Sequence, residues 1–145
     1  MLTIHLAQLE DYEPLCQCDQ LASTGPALIR LERREEIAHA LIDRSCYIAK
    51  RAASPVGYII FSRSFFKRPF ISLLTVHPAH RRHGVGSHLV RYVESLCPSE
   101  KLFTSTNQSN ITMQKLCDKL GFLPCGHIEQ LDDNDPELFY YKRLL

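Results

Sequence analysis

The segment best equipped for chemistry is VHPAHRRHGVGSHL at residues 76–89, which is rich in glycine, arginine and histidine. An extended run, Phe70–Val76, stops before Pro78, a basic loop follows, and an apolar helical pattern begins behind Gly84. A strand, a glycine loop and a helix start together present backbone N–H groups to a phosphate, and the helix dipole adds positive charge. The sequence therefore predicts that a cofactor carrying a diphosphate binds at the start of a helix over 84–97.

The expected donors are backbone N–H groups in the loop and the first helical turn. They belong to Arg82, His83, Gly84, Val85, Gly86 and Ser87, with Arg81 adding a fixed charge and a forked donor. A dinucleotide fingerprint would need glycine where Leu89 stands, and a P-loop would need Gly-Lys-Ser/Thr, which is absent. The loop histidines have no carboxylate near them in sequence, so no metal site is predicted.

A second informative segment, NQSNITMQKLCDKLGF, covers residues 107–122. Its apolar residues recur at the spacing of one helix face, namely Met113, Leu116, Cys117 and Leu120. Ser109 or Asn110 is suited to cap the N-terminus of this helix, and Gly121 is suited to close its C-terminus. We therefore expect an amphipathic helix over Asn110–Leu120.

Together, the two segments resemble the GNAT superfamily of N-acetyltransferases. The acyl-CoA loop of that family, Arg/Gln-x-x-Gly-x-Gly/Ala, is matched by Arg81, Gly84 and Gly86, and Val76-His77-Pro78 stands where the family has Val-x-Pro. The later family segment, Asn-x-x-Ala-x-x-Leu-Tyr-x-x-x-Gly-Phe, is matched at four positions and altered at two. The matches are Asn110, Leu116, Gly121 and Phe122, while Met113 replaces the small residue and Cys117 replaces the tyrosine.

The resemblance implies an enzyme that moves an acetyl group from acetyl-CoA, as co-substrate, to a primary amine by direct attack on the thioester. It implies that the strand edge at Leu74 and Val76 pairs with the pantetheine arm, and that one of their N–H groups bonds the thioester carbonyl. It places Asn107 and Asn110 near the arm, and it adds Met113 to the cofactor-binding set. The resemblance implies an acceptor that is a small-molecule or peptide amine, and the sequence does not choose between the two.

The groups that move protons are the least determined part of the site. A thiol at Cys117 has a pKa suited to protonating a thiolate, but a buried core cysteine on an apolar stripe is the alternative. Tyr140 and Tyr141 are further candidate acids, of which only one can face inward because side chains alternate along a strand. No carboxylate occurs in Phe70–Val76, so Glu137, Glu129, His77 or a chain of water molecules is the candidate base.

The remaining elements predict an α/β (mixed α+β) fold in one domain, residues 1–145. We expect strands at Thr3–Leu6, Cys46–Ala49, Val56–Ser64, Phe70–Val76, Lys101–Ser105, Phe122–Ile128 and Leu138–Leu144, and further helices at Glu10–Asp19 and Leu31–Arg44. Early strands form hairpins and later strands alternate with helices, which predicts a mixed sheet with helices on both faces. The family likeness implies a mostly antiparallel sheet of about seven strands, splayed in the middle.

Composition narrows the possible partners. A net charge of +1 disfavours a broad nucleic-acid surface, and no apolar run reaches the roughly 18 residues of a membrane span. The six cysteines include no C-x-x-C pair, and the N-terminus lacks the pattern of a signal peptide, so reduced thiols in the cytoplasm are expected. A monomer and a homodimer both remain possible.

The alternative function is an acyl-CoA-binding or partner-binding module with little or no turnover.

Overall fold

Seven strands form one mixed sheet in a computed structural model that describes residues 1–145. Their order across the sheet is β1-β2-β3-β4-β5-β7-β6. The strands are β1 (Leu2–Leu6), β2 (Cys46–Arg51), β3 (Ser54–Phe65), β4 (Arg68–Val76), β5 (Lys101–Asn107), β6 (Leu123–Ile128) and β7 (Glu137–Arg143). β4 and β5 run parallel, whereas β1 with β2, β2 with β3, β5 with β7, and β6 with β7 are antiparallel. The predicted fold class is confirmed.

Five α-helices connect these strands. They are α1 (Tyr12–Cys18), α2 (Gln20–Thr24), α3 (Ala27–Ile42), α4 (Val85–Ser95) and α5 (Ile111–Lys119), with short 3-10 turns at Leu9–Asp11 and Pro78–His80. None of these helices has the length and apolar character that a membrane crossing requires.

Most element boundaries lie within two residues of the sequence expectation, and two larger differences concern the helices. α2 was not anticipated, and it forms because the Asp19 side chain accepts hydrogen bonds from the N–H groups of Leu21 and Ala22. α3 begins at Ala27 instead of Leu31, since Pro26 supplies a φ of −53° at the helix entry. Leu28, in this first turn, is 67% exposed and does not belong to the buried face of α3, so the apolar spacing did not predict the turn.

The chain packs as two compact units. Unit 1 contains residues 1–61 and 73–92, and unit 2 contains residues 62–72 and 93–145. In unit 1, helices α1 to α3 pack on one face of the strands, with Leu15, Ile37, Ile48 and Tyr58 among the fully buried side chains of that core.

α4 packs on the other face of the unit 1 strands. Tyr58 points toward the α1–α3 core, and the neighbouring Gly57 points the opposite way, because side chains alternate along a strand. A Cβ at Gly57 would lie 3.1 Å from Val85 Cγ1 and 3.4 Å from Leu89 Cδ1, which are both on α4. Unit 1 therefore has helices on both faces of its strands, as predicted.

In unit 2, β5 alternates strictly between a buried and a half-exposed face. Its buried residues are Leu102, Thr104 and Thr106, and the Thr104 hydroxyl donates to the Ile71 carbonyl on β4 at 3.0 Å. Phe103 lies on the half-exposed face.

Candidate cofactor-binding and catalytic residues

The loop between β4 and α4 has the backbone form of an anion site. Arg82 and Gly84 have positive φ values of 65° and 79°. The helix hydrogen bonding starts where the His88 N–H donates to the Gly84 carbonyl at 3.0 Å. The N–H groups of Val85, Gly86 and Ser87 precede that bond and have no partner within the helix. An arginine held in the left-handed region is strained, and such strain concentrates at ligand sites.

The positive charges beside these N–H groups are exposed. Arg81 donates from Nε to the Val76 carbonyl at 3.2 Å, which anchors its guanidinium beside the loop. Arg82 and His83 are fully on the surface. His88 Nδ1 lies 2.7 Å from the Gly84 carbonyl, so Nδ1 carries the hydrogen and Nε2 remains open. The two arginines supplement the positive end of the α4 dipole.

Leu74 and Val76 lie half-buried near the end of β4 in the same unit as the loop. The following residue, His77, donates its backbone N–H to the Val56 carbonyl at 2.8 Å. Its ring Nδ1 accepts the Ala79 N–H at 3.1 Å and so caps the short turn at Pro78–His80. That bond occupies the only lone pair of the neutral ring, which makes His77 a capping residue in this geometry.

A buried polar cluster behind β4 escaped the sequence analysis. Asp19 is 1% exposed, pairs with Arg33 at 2.8 Å and accepts a short hydrogen bond from the Tyr58 hydroxyl. Burial raises the pKa of Tyr58, and the adjacent Asp19 carboxylate raises it further. The only sequence signal for this cluster was an aspartate at the position of a helix cap.

In unit 2, the two asparagines of the predicted site, Asn107 and Asn110, make different hydrogen bonds. Asn110 Oδ1 accepts the Met113 N–H at 3.1 Å, which settles the predicted cap of α5 on Asn110. Gly121, with a φ of 86°, follows the helix end as expected. Asn107 Nδ2 donates to Asp132 Oδ2 at 2.8 Å and to the Asp135 carbonyl at 3.3 Å, so Oδ1 is its open group.

The acidic loop between β6 and β7 is an ordered part of unit 2. Asp135 accepts from the Ser109 N–H at 3.0 Å and from the Ser109 hydroxyl at 2.6 Å. Together with the Asn107 bonds, these contacts fasten the loop to the end of β5. Glu137, the half-buried first residue of β7, pairs with Asn107 in the strand register.

Cys117 and Tyr140 lie close together, and both are buried. Burial raises the pKa of the Cys117 thiol to about 11, and Asp118 adds to the shift. Burial also raises the pKa of Tyr140, with Cys117 and Asp118 as smaller causes. Tyr141, the next residue, is half-exposed, so alternation makes Tyr140 the inward tyrosine.

The Tyr140 hydroxyl is a free donor at the edge of a buried ring. It forms no hydrogen bond within the protein. No buried side-chain oxygen or nitrogen lacks a partner, so this hydroxyl must reach solvent. A neutral phenol that is fixed by packing but open at its oxygen is chemically suited to donate a proton.

Comparison with known proteins decides the family. The model of the Acetyltransferase (GNAT) family matches residues 9–122. The chain belongs to the GNAT acetyltransferase family. A GNAT acetyltransferase structure from Bacillus cereus ATCC 10987 is 34% identical, with a TM-score of 0.88 and coverage of 100% of this chain and 99% of that one.

Two further relatives are more distant or partial. N-alpha-acetyltransferase 30 of Xenopus laevis is 31% identical over an alignment of 87 residues, with coverage of 54% of this chain and 31% of that protein. This chain therefore spans about a third of the length of that curated relative. A Bacillus anthracis str. Ames structure in complex with acetyl coenzyme A is 21% identical with a TM-score of 0.59, covers 68% of this chain and 61% of that one, and shares the fold.

The predicted site residues of this chain fall into two groups. Unit 1 holds the loop and strand residues, which are Leu74, Val76, His77, Arg81, Arg82, His83, Gly84, Val85, Gly86 and Ser87. Unit 2 holds Asn107, Asn110, Met113, Cys117, Glu137, Tyr140 and Tyr141. The sequence analysis missed Asp19 and its partners Arg33 and Tyr58. It also missed the hydrogen bonds between Asp135 and Ser109 that hold the acidic loop.

Proposed function

We propose that this GNAT protein transfers the acetyl group of acetyl-CoA to a primary amine. The observation that carries the proposal is the start of α4, where the N–H groups of Val85, Gly86 and Ser87 lack helical partners. A diphosphate needs several converging donors and positive charge, and this turn offers both beside Arg81. Gly84 has a φ of 79°, which a larger residue would adopt only under strain, and its lack of a Cβ leaves the backbone open to a ligand.

The same chemistry assigns roles to the other cofactor residues. Arg82 adds charge and His83 adds a hydrogen-bonding ring near the diphosphate, and the edge of β4 at Leu74 and Val76 offers backbone groups to the amides of the pantetheine arm. Asn107, through its open Oδ1, and Asn110 and Met113 at the start of α5 are the proposed contacts in unit 2. Acetyl-CoA supplies an activated acetyl group, and an N–H on β4 stabilises the charge that develops on its carbonyl oxygen.

For the proton that reaches the leaving thiolate, we propose Tyr140 as the donor. Its ring is buried, its hydroxyl is open, and its raised pKa keeps it protonated at neutral pH. Cys117 also remains protonated, but it is only 2% exposed and lies on the apolar face of α5. Tyr141 is the third candidate, and it lies on the opposite face of β7.

For the proton that leaves the amine, we propose a water molecule that passes it to Glu137, because Glu137 and Tyr140 lie on opposite faces of β7. Glu137 is a half-buried carboxylate at the start of β7. His77 is a weaker candidate because its acceptor nitrogen is engaged by the Ala79 N–H. A base must have a free lone pair within reach of the proton it removes.

The relatives guide the choice of acceptor. The curated relative is named an N-alpha-acetyltransferase, so we propose the α-amine of a peptide as the first acceptor to test. Small-molecule amines are the second class of acceptor to test.

The experiment measures thiol release from acetyl-CoA with a panel of N-terminal peptides, lysine peptides, polyamines and aminoglycosides, alongside calorimetry with CoA. Turnover with one acceptor class is expected, and failure to bind CoA would overturn the proposal.

A second candidate function is an acyl-CoA-binding module that has little turnover. It is favoured by Cys117, which stands where the family segment has tyrosine, and by the lack of a carboxylate in Phe70–Val76. Both functions predict heat on mixing with CoA. They differ in thiol release, because the module would bind CoA and release no thiol with any amine in the panel.

A further inference from the structure

One face of the unit 2 strands is lined by aromatic rings that touch one another. Phe65 stacks on Phe70 with ring centroids 4.6 Å apart, and it lies 5.9 Å from Phe139 and 5.6 Å from Phe103. Phe103 in turn lies 6.2 Å from Tyr141. We call these five residues the aromatic face. All five remain partly exposed.

Apolar exposure continues beyond these rings onto the edge strand β6. Leu123 pairs with Tyr141 in the strand register and is 56% exposed, and Ile128 pairs with Glu137 and is 46% exposed. Phe66, edge-on to Phe65, is 83% exposed. A contiguous apolar area of this kind on a protein surface marks an interaction site.

One end of the aromatic face carries basic side chains that have no acidic partner. Lys101 and Arg143 are direct neighbours across β5 and β7, and each lies two residues from an aromatic ring on the same side of its strand. Arg68 occupies the same position on β4 relative to Phe70. None of these three cations has a carboxylate partner. Like charges opposite each other on a sheet repel, so this row favours an external anionic partner.

The other end of the face is acidic. Asp132 is bonded to Asn107, which lies on the same side of β5 as Phe103. Asp133 and Glu129 are exposed nearby in the chain, and residues 121–141 contain five carboxylates and no lysine or arginine. The seven residues of β5 place the two ends about 20 Å apart. That separation exceeds the screening length of about 8 Å at physiological salt, so the two ends do not neutralise each other within one copy.

We propose that the aromatic face is where two copies of this chain associate. A twofold axis that lies in the interface, perpendicular to the strands, sets aromatic face on aromatic face and reverses the strand direction. Each basic end then meets the acidic end of the other copy, so the surface is complementary to itself, as a twofold interface requires. The area, about 20 Å by 20 Å on each copy from strand rise and spacing, totals about 800 Å² and is below the standard size of a stable interface, so the dimer is weak and reversible.

The test uses charge reversal and its rescue. Sedimentation equilibrium of the full chain at concentrations up to about 300 μM is expected to show a monomer–dimer equilibrium with micromolar Kd. Arg143→Glu and Asp133→Arg should each raise the Kd about tenfold, and the double variant should restore it, because the swapped charges again attract. Raising the salt concentration should weaken the unmodified dimer and should have less effect on either single variant.

A matched pair of variants tests the apolar part. Leu123→Asp adds a charge at the edge of the aromatic face and should abolish the dimer, whereas Leu28→Asp, at a 67% exposed position in unit 1, should not. Thermal unfolding checks that each variant is folded. A chain that stays monomeric at all concentrations, a dimer insensitive to the charge reversals, or a monomer that binds a single-stranded oligonucleotide through Arg143 would overturn the proposal.

Discussion

Gly57 controls how closely α4 approaches the strands of unit 1, and Gly57→Ala tests that control. A Cβ there would lie 2.8 Å from the Thr75 carbonyl oxygen and 3.1 Å from Val85 Cγ1. Relief of these contacts requires α4 or β4 to shift by a few tenths of an ångström, because the nearest atom is backbone. Overpacking of this kind costs about 1–3 kcal/mol, which lowers the Tm of a chain of this length by roughly 3–10 °C.

The same shift should weaken CoA binding, because Val85 opens the helix turn that presents the N–H donors. Loss of one hydrogen bond to a charged phosphate reduces affinity about tenfold. Isothermal titration calorimetry with CoA measures this effect. The control is Ala49→Gly, which removes a methyl from the residue opposite Gly57 in β2 and should cost about 1 kcal/mol without changing CoA affinity. An unchanged CoA affinity in a destabilised Gly57→Ala protein would refute the reasoning.

Three further predictions concern chemistry and stability. Tyr140→Phe should lower kcat about 100-fold, leave the Kd for CoA unchanged and remove the alkaline limb of the pH–rate profile. Arg33→Met should destabilise unit 1 by about 3–5 kcal/mol in urea unfolding, because it leaves the Asp19 carboxylate buried without its cation. Buried thiols should make the fold sensitive to alkali, since burial raises the pKa of Cys18 to about 11 and that of Cys46 to about 12. The stability that the buried protonated thiols contribute is fully present below about pH 9, the thiol pKa in the unfolded chain. Above that pH it declines by about 1.4 kcal/mol per pH unit per thiol, until the pKa of the thiol in the folded protein is reached.

Each of these predictions has a result that would contradict it. Loss of turnover in Tyr141→Phe, with Tyr140→Phe unaffected, would assign the donor to the other face of β7. For the buried ion pair, Asp19→Asn combined with Arg33→Met should recover part of the lost stability, and a single-variant loss below about 1 kcal/mol would contradict the argument. For the thiols, the decline between pH 9 and 11 should shrink in Cys46→Ala, after correction for its lower stability at pH 7.

The fold was largely predictable because its signals are local. The β-branched run before Pro78, the glycines that follow it and the alternation in β5 each depend on a few adjacent residues. α2 was missed because five residues are too few to show an apolar period, and because the partners of its cap Asp19, namely Arg33 and Tyr58, lie far along the chain. No periodicity in the sequence records such a contact.

The backbone of the loop between β4 and α4 was predictable, since glycine positions and a helix start determine where its N–H groups lie, and its binding of a cofactor stays a prediction. The proton-transfer groups were not, because their roles depend on which atoms are open. Sequence alone did not show that the lone pair of His77 is engaged by Ala79, or that the Tyr140 hydroxyl is unpaired beside Cys117. Those properties follow from packing between distant segments.

The central claim is that the first turn of α4, with Arg81, binds the diphosphate of CoA. Calorimetric titration of one protein sample with CoA, 3′-dephospho-CoA and pantetheine tests it most directly. CoA and 3′-dephospho-CoA, which both carry the diphosphate, should bind with similar affinity, and pantetheine should bind at least about 100-fold more weakly because it lacks several charge-assisted hydrogen bonds. Pantetheine binding as tight as that of CoA, or no heat with any of the three, would contradict the account.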